Sequence, residues 1–127
     1  MGYAVTWFEV NAPDPEQSAS FYSELFGWHT EPVPDQDYLL VDTHGRAVEH
    51  GGNGINGGLG KSQEGQPAGS TIYVEAPDIQ AVLEKAESMG ATTLAPVMET
   101  MTITFAMFAD PWGNVVGLVK GDGSTRV

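Results

Sequence analysis

The chain has 127 residues, 41% of them hydrophobic and 9% aromatic, which is enough to bury a core and ordinary for one soluble structural unit. Seventeen acidic side chains against five basic ones give a formal charge of −12, a field that repels phosphate backbones and anionic headgroups, so neither nucleic acid nor membrane is an expected partner. No apolar run approaches the roughly 18 residues of a membrane span, Met1 to Val5 lacks the basic flank of a signal peptide, and the absence of cysteine removes disulfides and thiol catalysis, so a cytoplasmic protein is expected.

Tyr3 to Asn11 is rich in β-branched and aromatic residues and reads as a strand, with Trp7, Glu9 and Asn11 on one face and Phe8 and Val10 on the other. Asp14 then caps a helix, with Pro15 at its first position and Gln17 where a capping box places the reciprocal partner. Ala19, Tyr22, Leu25 and Phe26 recur at helical spacing, and Gly27 supplies the stop. Strands are expected over 28–33 and 38–42 around the turn Pro34-Asp35-Gln36-Asp37, and a short one over 55–59 in a glycine-rich stretch where backbones approach closely. Residues 61–69 have linker composition.

A strand over 70–76 leads into a helix over 78–89, with Ile79, Val82, Leu83 and Ala86 on its apolar face and Gly90 as the stop. Short strands over 91–94, 101–109 and 115–120 complete the pattern. Between the last two, Asp110-Pro111-Trp112-Gly113-Asn114 reads as a tight turn.

The halves repeat. Val10-Asn11-Ala12-Pro13-Asp14 matches Val74-Glu75-Ala76-Pro77-Asp78, 64 positions later, and each copy is followed by a helix ending in glycine. Each half reads as strand, helix, then two or three strands, a βαβββ module whose sheet needs a second module to cover its inner face. A single α+β domain over 1–127 is therefore expected, built of modules 1–66 and 67–127, with a curved mixed sheet around a cup.

These residues carry a family resemblance. Ala12-Pro13-Asp14 through Phe21-Tyr22-Ser23-Glu24-Leu25-Phe26-Gly27-Trp28, the Gly57-Gly58 strand, Ala76-Pro77-Asp78 with its helix to Gly90, and Asp110 to Leu118 resemble the vicinal oxygen chelate superfamily of glyoxalases, bleomycin-resistance proteins and extradiol dioxygenases, especially proteins related to lactoylglutathione lyase. Metal-dependent members of that superfamily hold a divalent ion with His, Glu or Gln from the first and last strands of each module. The resemblance places those ligands here at Trp7, at Gly57 or Gly58, at Thr71 and at Gly117. Indole and glycine offer no lone pair and threonine is a poor ligand for such ions, so no cofactor is expected, and a divalent metal only at an atypical site.

Glu9 shares a strand face with Trp7, and Tyr73 and Glu75 share one with Thr71. Glu9 is the candidate general base, with Glu75 behind it, and His50, beside Glu49 before the glycine loop, is a second candidate; a solvated carboxylate and a surface histidine are the plain alternatives. Gly52-Asn53-Gly54-Ile55-Asn56-Gly57 and Gly60-Lys61-Ser62 resemble nucleotide loops, but Gln63-Glu64-Gly65-Gln66-Pro67 will not make the helix that such loops need. Two readings follow. The first is a metal-free domain binding a small hydrophobic or aromatic molecule with Trp7, Glu9, Thr71, Tyr73, Phe105 and Met107. The second is a lyase or isomerase using Glu9 or His50 for acid–base chemistry. A homodimer is expected from the family resemblance.

Overall fold

The computed structural model describes residues 2–43, 54–63 and 69–121. Two βαβββ modules are present: β1 (Val5–Ala12), α1 (Pro15–Phe26), β2 (His29–Pro32), β3 (Tyr38–Asp42) and β4 (Gly57–Lys61), then β5 (Gly69–Ala76), α2 (Ile79–Ser88), β6 (Thr92–Glu99), β7 (Thr104–Ala109) and β8 (Val115–Lys120). The described residues of Trp7–Ser70 form one compact unit, and those of Met1–Thr6 with Thr71–Arg126 form the other. Ala4 belongs to the second because its carbonyl accepts from the Glu75 amide at 2.9 Å. No helix among the described residues is long and apolar enough to cross a membrane.

In the first unit the strand order is β2-β3-β4-β1, antiparallel except for the parallel β4–β1 pair. Asp14 caps α1 as expected, its Oδ1 accepting from the amides of Glu16 at 3.0 Å and Gln17 at 3.3 Å. Gly27 closes the helix at φ 73°, a left-handed conformation that suits glycine. Phe8 and Val10 pack on the helix side against Ala19, Leu39, Val41 and Leu59. Leu25 and Phe26, expected on the apolar face of α1, stay more than half exposed; Phe26 instead stacks with Tyr22 at 5.9 Å and tilts against Trp28 at 5.1 Å.

The second unit repeats this plan as β5-β8-β7-β6, with a parallel β5–β8 pair. Its core is Ala76, Ile79, Leu83, Ala106 and Leu118, on the face that carries α2. The turn between β7 and β8 is organised by one carboxylate. Asp110 Oδ1 accepts from the amides of Trp112 at 3.0 Å and Asn114 at 2.8 Å, Oδ2 accepts from Asn114 Nδ2 at 3.0 Å, and Gly113 supplies a φ of 95°. Trp112, at the tip, is exposed.

Three strands depart from expectation. The strand expected over 55–59 forms two residues later, as Gly57–Lys61, because Thr43 Oγ1 donates to the Ile55 carbonyl at 2.7 Å and Asn56 Oδ1 accepts from the Thr43 amide at 3.0 Å, so pairing with β1 begins only at Gly57. The 91–94 strand continues to Glu99. The 101–109 strand begins only at Thr104, because Thr100 Oγ1 accepts from the amides of Thr102 at 3.2 Å and Ile103 at 3.0 Å, folding Met101 and Ile103 into an exposed turn.

Hydrogen bonds to its charged form, the largest from the Asn114 side chain, hold the Asp110 carboxyl below its ordinary 3.8. The folded chain therefore takes up this proton less readily than the unfolded one, so the stabilisation is present above 3.8 and is lost as pH falls through the depressed folded value. Asp110→Asn should melt below the parent at pH 7 by circular dichroism, and the gap should close as the pH drops through that range.

Candidate functional site

On each module α-helix and core cover one sheet face, and the opposite face carries the residues singled out from the sequence. In the first unit Trp7, Glu9 and Asn11 of β1 share that face with Tyr38 of β3 and Gly58 and Gly60 of β4. Tyr38 pairs directly with Gly60, and its ring runs diagonally over β4. A Cβ on Gly58 would collide with the Tyr38 hydroxyl, and one on Gly60 would lie 3.3 Å from ring atom Cδ1. The ring thereby crosses an intervening strand to reach β1, where Trp7 Nε1 donates to Tyr38 Oη at 3.1 Å. Only a strand without side chains at these points permits that path.

In the second unit Thr71, Tyr73 and Glu75 of β5 share a face with Gly117 of β8 and with Phe105 and Met107 of β7. Tyr73 pairs with Gly117 across β5–β8, and Met107 pairs with Gly117 from the other side. A Cβ on Gly117 would run into the Tyr73 ring, so here too a tyrosine occupies the space above glycine. Glu75 is buried, its carboxylate folded against the Gly121 backbone, which takes it out of contention as a solvent-facing base.

Thus the ligand positions implied by the resemblance hold Trp7 and Gly58 in one module and Thr71 and Gly117 in the other, with tyrosine rings over both glycines. A metal ion held from these four positions does not fit the side chains present. Among the described residues no group of three His, Cys, Asp or Glu is placed to hold a metal ion elsewhere. His50 and Glu49, like Gly52 and Asn53 of the glycine motif, lie outside the described residues. Gly60 and Lys61 are strand residues of β4, which rules out a phosphate loop there.

Glu9 stands on the wall of a groove of about 980 Å³ contained in the first unit. Asn11 and Tyr38 line it from the strands, Gln36 and Asp37 from the β2–β3 turn, and Lys61 from the end of β4. Asn11 Nδ2 donates to Glu9 Oε1 at 3.5 Å, and Asn11 Oδ1 lies over Gly60. Tyr38 and Asp37 were not anticipated from the sequence. The clue to Tyr38 was Gly-Gly-Leu-Gly at 57–60, three glycines in one strand, which marks a close approach without saying what approaches.

A Glyoxalase-like domain family model matches residues 7–119. The chain belongs to the glyoxalase-like family. Its fold is that of the glyoxalase/bleomycin resistance/dioxygenase superfamily. This glyoxalase-like chain is similar to the anthracycline biosynthesis protein DnrV of Streptomyces peucetius, with 31% identity covering 87% of this chain and 44% of that protein. It is also similar to the putative glyoxylase CFP32 of Mycobacterium bovis, with 27% identity covering 95% and 48%. The chain therefore spans less than half the length of these curated relatives. Among solved structures, Streptomyces coelicolor methylmalonyl-CoA epimerase superimposes with a TM-score of 0.62 at 17% identity, covering 94% of this chain and 98% of that one. A superfamily member from Vibrio splendidus gives 0.62 at 14% identity with the same coverage. At these identities the two structures establish the fold alone.

Gly117→Ala should lower stability by about 1–3 kcal/mol in urea unfolding, because the new methyl meets the Tyr73 ring. In a Tyr73→Ala background that cost should vanish, which a double-mutant cycle reads directly.

Proposed function

We propose that this glyoxalase-like domain binds a planar aromatic small molecule without a metal, using Tyr73, Phe105, Met107 and Thr71 on the helix-free face of its second unit. The observation that carries the reading is the seating of a tyrosine ring over glycine at the Gly58 and Gly117 ligand positions, which puts aromatic surface where metal-dependent relatives present chelating side chains. Tyr73 with Met107 offers a ring and a polarizable thioether, surfaces suited to stacking on a flat π-system, while Thr71 supplies an orienting hydrogen bond. The likeness to DnrV and DauV, named as anthracycline biosynthesis proteins, fits the same class of ligand, since an anthracycline is a fused-ring aromatic.

Titration with 1,4-dihydroxyanthraquinone in EDTA, followed by its visible absorbance, tests this. Saturable binding is expected, and Tyr73→Ala should weaken it by up to about tenfold, the equivalent of about 0.5–1.5 kcal/mol for one aromatic contact. Binding that appears only on adding a divalent ion, or that ignores Tyr73→Ala, would contradict the proposal. Turnover of the probe lost in Glu9→Gln would move the assignment to the lyase or isomerase class.

A further inference from the structure

The groove of the first unit has a chemistry unlike that of the aromatic faces. Apart from Pro13 and Gly60, every lining position carries a hydrogen-bonding side chain. An apolar ligand would strip water from these groups without replacing its hydrogen bonds. A polar ligand exchanges its own hydrogen bonds for those of water. At about 980 Å³ the space is at the upper end of small-molecule clefts, which run to roughly 1,000 Å³.

The arrangement is built rather than incidental. Asp35 takes a left-handed conformation at φ 61°, and the turn is closed by Val33 N to Tyr38 O at 2.9 Å and Gln36 N to Val33 O at 3.3 Å. Gln36 and Asp37 are thereby held at the rim. Ser62 N donates to Ala12 O at 2.9 Å, extending the β1–β4 pairing past Lys61 and tying down the opposite rim. Asn11 and the Tyr38 ring lie against the bare backbone of Gly60 between them.

Charge selects among polar ligands. Glu9 and Asp37 bring two carboxylates to the lining and Lys61 one ammonium, within a chain of formal charge −12, so an anion is repelled and an amine attracted. The Tyr38 ring adds a π-face for a cation. Asn11, Gln36 and Lys61 offer donors and acceptors at several points around the groove, a pattern that one isolated ammonium would not use.

We infer that this groove is a binding site for a polyhydroxylated amine of amino-sugar type, whose ammonium sits against Glu9 and Asp37 and whose hydroxyls bond to Asn11, Gln36 and Lys61. The site uses none of Thr71, Tyr73, Phe105 or Met107, so it stands or falls separately from the aromatic reading.

Calorimetric titration of the whole chain at 150 mM salt, where long-range attraction is screened beyond roughly 8 Å, tests it with three probes. Kanamycin A carries amines and hydroxyls, spermine only amines, and maltotriose only hydroxyls. Saturable kanamycin binding is expected, at least tenfold tighter than either control. Asp37→Asn, on an exposed turn and with folding checked by its melting curve, should weaken it at least tenfold, Gln36→Ala severalfold, and Tyr73→Ala not at all. Spermine binding as tightly as kanamycin, maltotriose matching it, no saturable kanamycin binding, or a folded Asp37→Asn variant with unchanged affinity would each overturn the inference.

Discussion

A tyrosine ring laid on a glycine is the contact on which both site faces depend. Over Gly58 and Gly117 the ring occupies the volume that any side chain would need, so the two features require each other. A Cβ at either glycine displaces the ring, and a ring withdrawn leaves backbone exposed on an otherwise packed strand. The constraint is steric before it is chemical, and the chemistry follows from it, because a position committed to glycine presents no donor atom to an ion.

The two modules reach this end differently. In the first, Tyr38 comes from β3 and crosses β4 to meet Trp7 on β1. In the second, Tyr73 stands on β5, at the position equivalent to Glu9, and lies over β8 toward Met107. One repeat thus places a carboxylate where the other places a phenol. The helix sides diverge much less: Ala19, Leu39, Val41 and Leu59 in one and Ile79, Leu83, Ala106 and Leu118 in the other form the same kind of aliphatic core. The βαβββ plan is held by these cores, which leaves the opposite faces free to differ in chemistry.

Much of the architecture was legible in the residues themselves. Asp14-Pro15 with Gly27, Asp78 with Gly90, and the Asp110-to-Asn114 turn are local signals whose physics is complete within a few residues, and each stands where expected. The misplaced boundaries have a common cause: a hydroxyl or amide outside the apolar pattern took over backbone bonds, as Thr43 did at Ile55 and Asn56 and Thr100 did at Ile103. Hydrophobic pattern alone does not record that competition. On the site faces, period-two alternation grouped Trp7 with Glu9 and Thr71 with Tyr73, and the strand register puts these residues, with Phe105 and Met107, on the faces away from the helices. Tyr38 was missed because its role depends on the pairing of β3 with β4, a register between segments that no spacing along the chain encodes.

The most direct test of the account is the proton NMR position of the glycine α-hydrogens. A proton held over an aromatic face is shielded by the ring current, so the Gly117 α-proton that points at the Tyr73 ring should resonate well upfield of ordinary strand glycines and return to a normal position on unfolding. An ordinary chemical shift in the folded protein would mean that the Tyr73 ring does not lie there, and the aromatic surface assigned to that position would be lost with it.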